Sequence, residues 1–167
     1  YQTICTQFAQ EVEKRTNGAI KIAVFPSDQL GKQVEAVEGT MLGTQDMVLT
    51  SDMVLSNWVA DMGILNLPFI FNNLWETRAV LDGPLGERLG KKLEPEGAVV
   101  IGWWGNGMRH VTNSRHPIKT PADLQGLKIR VPEGDVYVET FKAHRAGPTV
   151  ISFGDLTSAL QPNSVDG

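Results

Sequence analysis

The chain has 167 residues, 41% of them hydrophobic and 20% charged, a globular composition with enough apolar material for one domain or two small ones. Its net charge of -4 argues against a nucleic-acid partner, which calls for a basic face. No apolar run approaches the roughly 20 residues that span a bilayer, and the single cysteine, Cys5, cannot form an internal disulfide, so cysteine usage leaves the compartment undecided.

Ile4, Phe8 and Val12 recur at i, i+4 and i+8, and the stretch TNG at 16–18 supplies a glycine stop, so the chain opens in a helix. AIKIAVF at 19–25 alternates apolar and polar residues up to Pro26 and reads as a strand. Val34, Val37 and Met41 mark one face of a second helix that stops near Gly43. DMVLT at 46–50 is a compact apolar run suited to a buried strand. ILNLPFIF at 64–71 is broken by Pro68 and does not suit an uninterrupted central strand. Leu85, Leu89 and Leu93 define a helix after Gly83, and AVVIGWWG at 98–105 reads as the next strand. The alternation is that of an α/β protein.

Past Gly105 the texture changes. Residues 106–126 have little helical period, prolines at 117 and 121 and several turn formers. LKIRVP at 127–132 reads as a strand, followed by a helix from about Asp135 to Ala146, a short PTVIS strand, and a helix that starts after Ser152 as N-cap with Asp155 three residues on. A domain boundary is placed at 104–107, giving regions 1–105 and 106–167. Charge follows the same division: eight basic and thirteen acidic residues precede Gly107, seven basic and six acidic follow.

Common catalytic signatures are missing. There is no H-E-x-x-H, G-x-S-x-G or C-x-x-C, and His110, His116 and His144 have no paired ligand spacing for a metal. In GWWGNG the third glycine of a dinucleotide fingerprint would fall at His110, so no nucleotide cofactor is expected. Trp103 and Trp104 suit packing or a pocket wall. On period two, Lys128 and Arg130 share one face of their strand, opposite Leu127, Ile129 and Val131. From spacing alone that is either a solvated basic face or a placed charge, and Arg109 admits the same two readings as a loop charge.

Two runs weigh toward the second reading. DLQGLKIRVP at 123–132 and PTVISFGDLTSALQPNSVDG at 148–167, together with FAQEVEKRTNGAIKIAVFPSDQLGKQ, DMVLTS, LNLPFIF and GMRHVTNSRHPIKTPADLQG, resemble the solute-binding proteins of tripartite ATP-independent periplasmic (TRAP) transporters, the DctP family, over essentially the whole chain. The resemblance implies an α/β, two-lobed periplasmic-binding-protein-like fold of type II character, incomplete here because the family's opening strand and the segment after VDG are missing. An exposed sheet edge is therefore expected in the first lobe. In the family the arginine of the R-V-P motif, here Arg130, holds the ligand carboxylate. A guanidinium stays protonated, and its planar fork matches a carboxylate with two parallel hydrogen bonds.

By the same resemblance Arg109 is a second ligand-reaching arginine and Phe153 an aromatic wall of the cleft. Gln33 and Ser51 stand where sialic-acid binders carry acidic contacts, and Glu133 follows R-V-P, so sialic acid is a poor ligand. Gln33, Ser51 and Asn106 suit hydroxyls, which favours hydroxy or sugar acids such as uronates, with C4-dicarboxylates second. The implied protein is a monomeric periplasmic receptor that closes by a hinge and delivers an organic acid to membrane permease subunits, with no metal, cofactor or catalytic residue. Two alternatives are a carboxylate-handling enzyme with His110 or His144 as base and Arg130 as anchor, and a sensor receptor on the same fold.

Overall fold

A computed structural model describes residues 1–167. The chain divides into two compact units, Tyr1–Lys32 and Gln33–Gly167. The first is helix α1 (Gln2–Arg15) followed by a stretch of turns and irregular chain. Lys14 and Arg15 sit in its last turn, where cations suit the negative end of the helix dipole. The Thr16 hydroxyl donates to Val12 O at 2.9 Å and accepts the Ile20 N–H at 3.1 Å, and Gly18 closes the turn at φ +80.

The second unit carries α2 (Gln33–Met41), α3 (Asp52–Leu55), a 3-10 segment (Ala60–Asn66), α4 (Leu74–Leu81) and α5 (Pro84–Lys91), then β1 (Lys128–Val131), α6 (Asp135–Ala143), β2 (Gly147–Val150) and α7 (Leu156–Leu160). No helix is long and apolar enough to cross a membrane. Two apolar clusters hold the unit. One gathers Val59, Met62, Leu89 and Leu93, with Leu85, Val100 and Trp103 packed on it, so the leucine face of α5 is buried as its spacing foretells. The other gathers Met53, Leu124, Leu127, Ile129, Val131, Tyr137 and Ala146.

β1 and β2 are parallel, joined by α6, with Lys128 opposite Gly147 and Arg130 opposite Thr149. Ile129 and Val131 are buried while Lys128 is exposed and Arg130 half-buried, the two-faced pattern the sequence implies. The far edge of β1 is occupied by the end of the VDG run. Asp166 N–H donates to Lys128 O at 2.7 Å and Arg130 N–H donates to Gly167 O at 2.7 Å, while Ser114 N–H donates onward to Asp166 O at 2.9 Å. Asp166 is 6% exposed; its carboxylate accepts the Lys128 N–H at 2.8 Å and Arg115 Nε–H at 2.7 Å.

Three expected strands do not form. Residues 19–25, 46–50 and 98–105 join no ladder, and Met47, Leu49, Val99 and Ile101 are exposed; the expected sheet with an open edge is thus absent from the first region. Alternation identifies side chains suited to a sheet, but a strand exists only when a neighbour supplies the hydrogen bonds. The last helix begins later than expected. Ser152 Oγ donates to Asp155 Oδ2 at 2.7 Å within a turn, and Asp155 itself stands at the N-cap position. Helix α4 carries a signal in NNLWE: Asn73 Oδ1 accepts from Trp75 and Glu76 N–H, both at 3.0 Å.

Candidate functional site

Arg130 is held twice before any ligand is considered. Its backbone N–H is fixed on Gly167 O, and its Nε–H donates to Ile151 O at 2.8 Å, just beyond the end of β2. The terminal nitrogens of the fork are left to meet an anion. Burial pulls the guanidinium below its ordinary range; Glu133 pulls it back up through space without forming an ion pair, and the like charge of Arg109 lowers it again. Arg109 and Arg130 thus act on each other, with Glu133 acting on Arg130 and Asp52 on the nearby Tyr137.

Arg109 comes from an extended segment and is exposed, with its guanidinium over the Tyr137 ring at 4.7 Å from the centroid. Tyr137 is buried on the first full turn of α6, and burial pushes its hydroxyl up from the ordinary phenol value while Arg109 draws it down. That hydroxyl donates to Asn66 Oδ1; Asn66 Nδ2 donates to Asp52 Oδ2 at 2.9 Å, and Ser51 Oγ donates to Asp52 Oδ1 at 3.3 Å. α6 can begin so close to α3 because Gly134 precedes it: at φ +144, a Cβ there would lie 2.3 Å from Met53 Cγ.

The expected site residues divide into groups. Arg109, Arg130 and Glu133 share one electrostatic neighbourhood with Tyr137. Gln33 and Ser51 come together: Gln33 Oε1 accepts Ser51 N–H at 3.3 Å and the Thr50 hydroxyl at 3.4 Å, leaving its amide NH2 as donor, and Ser51 caps α3 by accepting Met53 N–H at 3.2 Å. Asn106 and Phe153 are exposed and stand outside this hydrogen-bonded set, Phe153 at 63%. Sequence reasoning passed over Tyr137, Asn66 and Asp52. A signal existed for Asn66, a polar residue inside an apolar run, where a buried amide needs partners. His116 faces Pro117 O at 3.3 Å and His144 lies at the C-terminal end of α6, the end remote from Gly134.

The fold matches that of solved proteins. A TRAP periplasmic solute-binding protein from Polaromonas sp. JS666, bound to D-erythronate, superposes with a TM-score of 0.93 at 41% identity, over 98% of this chain and 54% of that one. A second, from Sulfitobacter sp. NAS-14.1 with bound β-D-galacturonate, gives 0.91 at 34% identity over 96% of this chain and 53% of that one. The fold is accordingly that of the periplasmic solute-binding proteins. The family model for bacterial extracellular solute-binding protein, family 7 (DctP), matches residues 1–167, and the chain belongs to that family of substrate-binding receptors. A solute-binding protein of Verminephrobacter eiseniae is 39% identical over 160 residues, 96% of this chain and 48% of that protein. The chain thus spans about half the length of the relatives it matches.

Proposed function

We propose that the chain supplies the anion-gripping part of a periplasmic TRAP receptor that captures an organic acid and delivers it to membrane permease subunits. Arg130 is the carboxylate anchor and Arg109 a second one. The observation that carries this reading is the half-buried Arg130 fork, tethered through its N–H and Nε to Gly167 and Ile151 and paired with no acidic side chain. A guanidinium so placed has lost part of its hydration and regains it most fully from a bidentate carboxylate.

Hydroxy or sugar acids such as uronates are the favoured ligands, with C4-dicarboxylates second. Support comes from the hydroxyl-compatible groups Gln33 and Ser51 beside Asp52, and from the ligands named for the Polaromonas and Sulfitobacter proteins. Asn106 and Glu133 supply further polar contacts and Phe153 the apolar wall. The two regions 1–105 and 106–167 act as lobes; the apolar cluster of Val59, Met62, Leu89 and Leu93 lies within the first, while the cluster around Ile129 and Val131 also takes in Met53 from it. The receptor acts as a monomer, closes by a hinge, and performs no chemistry on its cargo. A thermal-shift screen of D-erythronate, D-galacturonate and succinate tests it: at least one acid raises the Tm of the intact receptor and the shift vanishes in Arg130→Ala. A stabilising acid indifferent to that substitution overturns the role of Arg130.

A further inference from the structure

We infer that Tyr137 is a positioning residue of the anion site: its ring holds the Arg109 guanidinium beside Arg130, and a relay through Asn66 to Asp52 holds the ring. The inference rests on the receptor reading above and adds to it a residue that makes the second arginine effective.

Arg109 needs such a support. It lies on residues 106–113, which form neither helix nor strand, so its backbone gives it no fixed direction. It also sits where the charge of Arg130 is felt, and two guanidiniums left to themselves move apart. An aromatic face counters both tendencies, because its negative quadrupole attracts a cation and its flat surface matches the planar guanidinium; the 4.7 Å separation is within the range of that contact.

The ring, in turn, does not turn freely. Tyr137 belongs to the cluster of Leu127, Ile129 and Val131 directly under β1, which binds the ring's body to the strand that carries Arg130. Its hydroxyl is fixed on Asn66, whose amide is fixed on Asp52, whose other oxygen takes the Ser51 hydroxyl. Swinging the side chain about its Cα–Cβ bond would carry the hydroxyl off Asn66 and break the series. Phenylalanine would keep the platform but leave Asn66 Oδ1 without its partner.

The competing explanation is that Tyr137 merely fills the core, and a double-mutant cycle separates the two. Dissociation constants for D-erythronate and D-galacturonate are measured by calorimetry on the intact receptor, its Tyr137→Leu and Arg109→Ala variants and the double variant, well below each Tm. Tyr137→Leu is expected to weaken binding about 3- to 30-fold, the range of a cation–π contact. In the Arg109→Ala background the same change is expected to cost less than about twofold, since the residue it acts through is gone. Equal losses in both backgrounds, or an unchanged constant in Tyr137→Leu, overturn the inference. Arg130→Ala serves as the control: if it binds like the wild type the receptor reading fails whatever the cycle gives. Should neither acid bind, or Tyr137→Leu not fold, the upfield ring-current shift of the Arg109 side-chain protons by NMR decides. It is expected in the wild type and in Tyr137→Phe, and its absence from the wild type refutes the contact.

Discussion

Replacing Arg130 with lysine keeps the charge and removes the geometry, and therefore isolates what the fork contributes. In the native chain Nε is committed to Ile151 O at 2.8 Å, which aims the two terminal nitrogens and leaves them free to bind one carboxylate side by side. Lysine has no counterpart to Nε, so the tether to β2 is lost, and its ammonium holds a carboxylate through one bond where the fork makes two. A hydrogen bond to a charged group contributes about 1.5 to 3 kcal/mol. At about 1.4 kcal/mol per decade, Arg130→Lys should weaken binding of D-erythronate or D-galacturonate about 10- to 150-fold. Half-burial matters to this figure, because an exposed ion pair is worth only about 0 to 1 kcal/mol and would lose little on exchanging one cation for another. Titration calorimetry of the intact receptor reads the constant directly. A lysine variant within about threefold of the wild type would show that charge alone suffices and would refute the bidentate argument.

Two other outcomes concern the frame around the anchor. Gly134→Ala places a methyl group 2.3 Å from Met53 Cγ at φ +144, so overpacking and a strained backbone together should cost about 2 to 5 kcal/mol and lower Tm by roughly 4 to 20 °C; a change under about 2 °C would mean the helix start adjusts freely. Asp166 is held below the ordinary carboxylate range by the Lys128 N–H and then by Arg115, so its ionised form stabilises the fold fully above the unfolded pKa of about 3.9 and that stabilisation fades as pH falls through the depressed folded value. Urea midpoints of wild type and Asp166→Asn should accordingly differ most at neutral pH and converge in acid, and a gap independent of pH would contradict the assignment.

Local rules served the helices well. The existence of α1, α2, α5 and α6, the leucine face of α5 and the alternation of β1 are written within single turns or strands, although Ile4 of the face expected for α1 is exposed. Residues 46–50 and 98–105 satisfied the same kind of rule and still formed no strand, since pairing depends on a neighbour rather than on the segment itself. The site divides similarly. For Arg130 spacing left open a solvated basic face or a placed charge, and the R-V-P resemblance weighed toward the second. Tyr137 looked like an ordinary apolar position of α6. Its partner Asn66 lies 71 residues away, and no spacing within either segment announces that the two meet. Ser152 shows the opposite failure, in which a correct pair of residues was given the wrong geometry, a turn being an equally good use of a hydroxyl and a carboxylate three apart.

The double tether of Arg130 also bears on when the receptor becomes competent. One support arrives from Ile151, 21 residues downstream, and the other from Gly167, later still, after α6, β2 and α7 have been laid down. Such distant partners are brought in last, because closing a long stretch of chain costs entropy before any contact repays it. On the proposed reading, a molecule in which Ile151 and Gly167 have not yet docked has the charge of Arg130 but not its aim, so a competent anion site waits on completion of the sheet.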